Sequence, residues 1–212
     1  MITRLEVNNY RCLRYNKIEI PPFAALVGPN AAGKSTFVDA LRMLSGLMEI
    51  PIDRALFFNG YAGEGRCSAF EEILYNRQGS YFEIAVEILV PAEFQHGSFN
   101  RLRYEIEVGP KKSALANLID DPGKFPLATW TRNYLREGIA MLVLNSRAMR
   151  IIALTLIAFL PETALTYLIE EPGNGIHPKA LEMVMEALSA TNNVHWQGEI
   201  PIETLFASGV LA

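Results

Sequence analysis

Gly28-Pro29-Asn30-Ala31-Ala32-Gly33-Lys34-Ser35-Thr36 is the stretch on which the reading of this chain turns. It satisfies the phosphate-binding loop pattern G-x-x-x-x-G-K-S/T at every position. Phe23 to Val27 before it is short and apolar and reads as a buried strand; after it, Phe37, Leu41, Leu44 and Met48 recur at helical spacing. A strand–loop–helix context is what the motif needs. A helix start offers unpaired N–H groups and a positive dipole end to a densely anionic group. Gly28 and Gly33 let the backbone curl closely around phosphates. Lys34 can reach the β and γ oxygens, and Ser35 can offer its hydroxyl to Mg²⁺. The other reading is a chance glycine-rich turn.

A second stretch answers the first. Leu165-Thr166-Tyr167-Leu168-Ile169 reads as an apolar strand ending in Glu170-Glu171, followed by Pro172-Gly173-Asn174-Gly175-Ile176-His177-Pro178. Adjacent carboxylates at the end of a buried strand are costly without a partner. A Mg²⁺ ion and an attacking water supply one. Glu170 is the candidate for the metal or its water, and Glu171 for the base that orients and deprotonates the attacking water. The bland alternative is a strand end followed by a solvated turn.

Together these two stretches resemble the ABC-type ATPase heads. That superfamily includes the chromosome-maintenance (SMC) proteins, the RecF-type repair proteins, and the OLD-like and Septu-like ATPases of bacterial phage defence. The Glu-Glu-Pro-x-Asn-Gly-x-His-Pro form resembles the last group. The opening Leu5 to Leu13 and Ile18-Glu19-Ile20 resemble the first two strands of such heads. The resemblance implies an α/β fold, a P-loop NTPase of ABC-ATPase-head type with an additional antiparallel β-subsheet at about 70–109. It implies one ATPase domain over residues 1–212, with ATP and Mg²⁺ as ligands. Nucleotide contacts then fall to Asn30, Ala31, Ala32, Gly33, Lys34, Ser35 and Thr36, metal contacts to Ser35 and Glu170, and catalysis to Lys34 and Glu171. Arg11 matches an arginine that in such heads often lies beside the nucleotide; a solvated surface arginine is the competing reading. The resemblance further implies a homodimer or larger assembly with ATP sandwiched between heads. A nuclease or toxin effector is the implied partner, in phage defence or, alternatively, RecF-like DNA repair. A nucleotide-locked scaffold with little turnover is the other functional reading.

The chain departs from that pattern in places. The signature slot reads Asn145-Ser146-Arg147-Ala148-Met149-Arg150, without glycine. No apolar strand leads to His195, which is a weak candidate for the switch histidine. Both omissions lead to the expectation that sequence is missing near Arg150/Ile151 and near Ala190/Asn193, with the numbering closed over it. Asn145 competes between a Mg²⁺ or water contact and a strand cap, and His177 between a dimer contact and a plain helix start.

Elsewhere, Tyr81 to Val90 and Arg103 to Val108 alternate apolar and polar residues and predict two antiparallel strands with one wet face. Asn76 to Ser80 predicts the turn before them, and His96 a solvated loop residue. Residues 49 to 69 and 110 to 127 read as loop, Thr129 to Ala140 as helix, and Met141 to Leu144 as strand. Ile151 to Leu160 reads as a buried helix, and a further amphipathic helix starts near Pro178. The formal net charge of −4 gives no whole-protein basic footprint for nucleic acid, though a local patch for DNA is compatible with it. Two cysteines, Cys12 and Cys67, fit a reducing compartment. No leader peptide is visible, and the longest uncharged apolar run, Ile151 to Pro161, is too short for a bilayer. The expectation is a soluble, cytoplasmic protein without a membrane partner.

Overall fold

The computed structural model describes residues 1–21, 24, 26, 31–57, 67–110, 122–142, 151–152, 166–169 and 176–191. In chain order the elements are β1 (Ile2–Tyr10), β2 (Leu13–Glu19), α1 (Lys34–Glu49), α2 (Ile52–Phe57), β3 (Phe82–Leu89), β4 (Arg101–Val108), α3 (Pro126–Glu137), β5 (Ile139–Leu142), β6 (Thr166–Ile169) and α4 (Pro178–Thr191). The fold is α/β with an antiparallel sheet. Two compact units divide the chain: Met1–Ile20, Ser35–Ala140 and Ala164–Thr166 form the first, and Pro21–Lys34, Met141–Thr163 and Tyr167–Ala212 the second.

The first unit is built on a four-stranded sheet in the order β2-β1-β3-β4, every neighbour antiparallel. β3 and β4 form where the alternation places them. The subsheet expected at about 70–109 is corrected in two respects. It takes in β1 and β2, because the apolar face of β1 (Leu5, Val7) lies in register with Val86 and Ile84 of β3 and buries one continuous stripe. Phe70–Ile73 and Tyr75–Arg77 are 3₁₀ turns, joined at Leu74, which makes an isolated antiparallel bridge to Tyr10; Asn76 and Arg77 take left-handed φ angles of 51° and 57° that no ladder accommodates.

The opposite face of the sheet is a lattice of charges. Glu6 lies 2.9 Å from Lys17 Nζ and 2.9 Å from Arg103 Nη2, while Arg4 bridges Glu19 at 2.5 Å and Glu87. Asn8 Nδ2 donates to Glu83 at 2.7 Å. The Arg103 guanidinium, then Lys17, holds the Glu6 carboxyl below its usual range. Such pairs each contribute a fraction of a kcal/mol, roughly 0.2–1, so the buried face carries the stability. On that face burial pushes the Tyr104 phenol up to about 12.

Asn9 inverts the pleat. Its φ of 58° interrupts the alternation of β1: Asn8 points to the charged face, yet Tyr10, two residues on, is fully buried. Asparagine tolerates this left-handed conformation better than most residues. Its Nδ2 also donates to the carbonyls of Gln78 (3.0 Å) and Tyr81 (2.8 Å), fixing the turn that leads into β3. Tyr10 consequently stacks obliquely on Phe82, with ring centroids 5.0 Å apart.

α1 extends over 16 residues, and Phe37, Leu41, Leu44 and Met48 are buried as their spacing predicts. Val38, Ala40, Met43 and Leu47 are buried too, so the helix is covered on more than one face. The loop expected over residues 49 to 69 is corrected by α2, whose first turn closes with Ala55 N–H donating to the Pro51 carbonyl at 2.9 Å. Proline suits that place because its missing N–H would have had no partner at a helix start. Residues 58–66 and 111–121 lie outside the described residues.

α3 starts three residues earlier than predicted, with Pro126 at its first turn, and stops at Glu137 instead of Ala140. Gly138 ends it, its N–H donating to the Tyr134 carbonyl at 2.7 Å, and β5 begins at once. β5 pairs with β6 in a two-stranded sheet; Thr166 N–H meets the Gly138 carbonyl at 2.5 Å, and the Tyr134 and Thr166 hydroxyls lie 2.9 Å apart. A Cβ on Gly138 would sit 2.4 Å from the Tyr134 carbonyl oxygen. Gly138→Ala is therefore expected to lower stability by about 1–3 kcal/mol, the range for overpacking against backbone. Chemical denaturation measures it, and an unchanged midpoint would contradict the reading.

In the second unit, Ile176, Leu181 and Val184 form a small core with Ile151, Ala180, Met185 and Ala187 against it. α4 begins at Pro178, as its pattern predicts. The buried strand expected over Phe23 to Val27 is not borne out at its described residues. Ala24 and Leu26 belong to no strand and are exposed. No described strand offers this segment a ladder partner, and an unpaired strand would leave its backbone groups unsatisfied. The signature slot at 145–150, nearly all of the expected helix from Ile151 to Leu160, and Asn193 at the far side of the second expected gap lie outside the described residues; Ala190, at its near side, lies in α4.

Candidate functional site

The site is organised by the first turn of α1. Ala31 and Gly33, just before it, have φ angles of 63° and 94°. Glycine takes this conformation freely; alanine does so at a cost of roughly 1–2 kcal/mol, which surrounding structure must offset. The backbone is thus wound tightly into the helix at these two residues. Ala31, Ala32 and Ser35 are exposed, and Gly33, Lys34 and Thr36 are half-buried.

The electrostatics of this turn are unusual for an ordinary helix. The N–H groups of a first turn have no intrahelical acceptors and carry a positive end of the dipole. Acidic side chains usually offset that field, and α1 has none in its first turn. Its first residue is instead Lys34, a cation where an anion is favoured. An anionic ligand is the group that would balance both. The Ser35 hydroxyl is accessible to a hydrated cation accompanying such a ligand.

Within the first unit the hairpin between β1 and β2 is tied to the same helix. The Tyr10 hydroxyl donates to Asp39 Oδ2 at 2.6 Å, and Arg11 Nε lies 3.4 Å from that oxygen. Arg11 has a φ of 50° and donates its N–H to the Ile73 carbonyl at 2.6 Å. Cys12 Sγ lies 3.2 Å from Thr36 Oγ1. Arg11 is therefore directed onto α1 through Asp39, three residues beyond Thr36. Sequence reasoning missed Asp39 and Tyr10. The signal was there: Asp39 is a lone carboxylate among Phe37, Val38, Ala40 and Leu41, and such a residue needs a partner.

Asp39→Ala is expected to cost about 1–3 kcal/mol of stability, because it strands the Tyr10 hydroxyl as well as the arginine. Arg11→Ala, at a partly exposed pair, is expected to cost under about 1 kcal/mol. Equal costs in denaturant unfolding would mean that the tyrosine bond contributes nothing.

His177 is exposed and precedes α4; its Nδ1 lies 3.3 Å from the Lys179 N–H and its carbonyl accepts from Leu181 at 3.1 Å. That is the geometry of a helix start. Gly28, Asn30, Asn145, Glu170, Glu171 and His195 lie outside the described residues. Among the described residues no group of three or more His, Cys, Asp or Glu side chains is placed to hold a metal, and no helix is long and apolar enough to cross a membrane.

Residues 1–90 match the AAA ATPase domain family, a span that contains β1, β2, the loop motif, α1 and β3. Over that span the chain is similar to ATPase domains. The OLD nuclease of Thermus scotoductus is 44% identical to this chain over 46 residues. That match covers 22% of the chain and only 9% of the nuclease. A solved structure described under ATP-driven dimerization and DNA-stimulated activation of SMC ATPases shares 20% identity, covering 53% of this chain and 66% of that one, at a TM-score of 0.38. A score that low carries no argument about this chain.

Proposed function

We propose that this chain is a P-loop ATPase of the ABC-head type that binds ATP with Mg²⁺ and hydrolyses the γ-phosphate by in-line attack of water. The observation that carries the reading is the start of α1, where left-handed Gly33 leads into a helix opened by Lys34 with no acid in its first turn. The match of residues 1–90 to the AAA ATPase domain family supports it. Asn30, Ala31, Ala32 and Gly33 would wrap the phosphates with backbone N–H groups. Lys34 would neutralise the β and γ oxygens, and Ser35 and Thr36 would offer hydroxyls. Glu171 would align the water and take its proton. Bound Mg²⁺, held by Ser35 and Glu170, would offset charge on the phosphate oxygens. Arg11 would act on this region through Asp39.

The proposed unit is one ATPase domain over residues 1–212, assembling as a homodimer or larger oligomer around nucleotide in the cytoplasm. Its proposed role is DNA-related, most of all in bacterial defence against phage, where nucleotide state would control a nuclease or toxin partner. A second reading, a nucleotide-locked scaffold with little turnover, is favoured by the glycine-free slot at Asn145 to Arg150. Phosphate release by the purified chain, before and after chelation of Mg²⁺, tests the first reading. Turnover that chelation abolishes supports it; binding and assembly without turnover favour the scaffold; no ATP binding overturns both.

A further inference from the structure

The four-stranded sheet ends on β4, which among the described residues pairs with β3 alone. An edge strand offers its backbone N–H and C=O groups to any second strand that fits. Many natural edges prevent this with lysines or like charges. β4 has a different pattern. Arg101-Leu102-Arg103-Tyr104-Glu105-Ile106-Glu107 is antisymmetric in charge about Tyr104: two arginines on one side and two glutamates at the mirrored positions. The apolar positions Leu102 and Ile106 are mirrored as well.

We infer that β4 pairs antiparallel with β4 of a second copy of this chain, about a two-fold axis at Tyr104. In that register Arg101 faces Glu107 of the partner subunit, Arg103 faces Glu105 of the partner subunit, and Leu102 faces Ile106 of the partner subunit. The contact is isologous, so every pair occurs twice and the assembly closes as a dimer. The register is also singular. Sliding two residues one way opposes Arg103 to its own copy, and sliding two the other way opposes Glu105 to its own copy. Directly opposed like charges are destabilising, and a one-residue slip would put charges on the apolar face.

The side chains are already set for the exchange. Arg101, Arg103 and Glu105 are exposed, and Arg103 Nη2 lies 2.9 Å from Glu105 Oε2 within the strand. A guanidinium has five donors and a carboxylate two oxygens, so Arg103 can keep Glu6 and add a cross-strand partner. Tyr104 is half-buried, and its hydroxyl is buried with no hydrogen-bond partner among the described residues. Pairing covers the exposed remainder of both rings at the axis. This interface needs no nucleotide, which separates it from assembly around ATP.

Sedimentation of the full chain without nucleotide, over a range of concentrations, tests the inference. Wild type is expected to dimerise, and Lys34→Ala to dimerise equally. Arg103→Glu alone and Glu105→Arg alone should each weaken the dimer by roughly tenfold or more, since each creates two like-charge oppositions. Mixing these two variants should restore association, because each supplies the charge the other needs. Arg101→Glu mixed with Glu107→Arg repeats the experiment away from Glu6, should the first variant fold poorly. A wild-type chain that stays monomeric overturns the inference and leaves the edge to a strand of another protein. Single reversals that dimerise like wild type overturn it, as does a mixture of folded variants that does not associate.

Discussion

Replacing Lys34 with alanine is expected to lower ATP turnover about 10²–10³-fold, the range for removing one preorganised group that stabilises developing charge. Two effects add in this result. The first is the lost charge-assisted hydrogen bond to phosphate, worth roughly 1.5–3 kcal/mol. The second is the loss of a cation that sits where α1 itself would prefer an anion. Weaker ATP binding without loss of the fold is a sharper expectation than lost activity alone. Calorimetric titration with ATP and denaturant unfolding without it give the two numbers. A variant that loses stability but binds ATP normally would mean that Lys34 is structural.

Glu171→Gln is expected to separate binding from chemistry. A positioned general base contributes about 10²–10⁴-fold, and glutamine keeps the shape while losing the basicity. Turnover should fall by that factor while ATP affinity stays within a few-fold. Leu168, three residues earlier, is buried in β6. If turnover is already negligible in wild type and glutamine changes nothing, the scaffold reading replaces the enzyme. Single-turnover phosphate release and filter binding of ATP distinguish these cases.

Much of the fold was legible because its elements are strongly periodic. α1 repeats apolar residues at helical spacing directly after the glycine–lysine motif, so a helix there was legible. β3 alternates cleanly over eight residues, and α4 is marked by proline at its first turn. What escaped were features that depend on single residues in three dimensions. Asn9 reverses the pleat through one φ angle, which leaves no trace in the alternation. Gly138 ended α3 before the apolar pattern did, because Ile139 and Ala140 suit either a helix or a strand. α2 is only six residues long, below the length at which periodicity speaks. At the site, the helix that follows the motif was legible, whereas the Tyr10–Asp39–Arg11 link was not, since its members are brought together only by folding.

The order β2-β1-β3-β4 also sets a schedule for synthesis. β1 and β2 are joined by a two-residue turn and can pair as soon as they leave the ribosome. The next neighbour of β1 arrives far later: Arg4 and Glu87, which meet across the sheet, are 83 residues apart in sequence. At roughly 5–20 residues per second the nascent hairpin waits several seconds for β3. During that time Leu5 and Val7 lack Val86 and Ile84 of β3 beside them, and Tyr10 lacks the Phe82 ring that packs on it. α1 is translated inside this interval, before the sheet has closed. The matched ATPase region ends at residue 90, immediately after β3 and before β4. A chain cut there would carry the whole loop motif but present β3 as a bare apolar edge, an aggregation-prone end that the intact protein covers with β4.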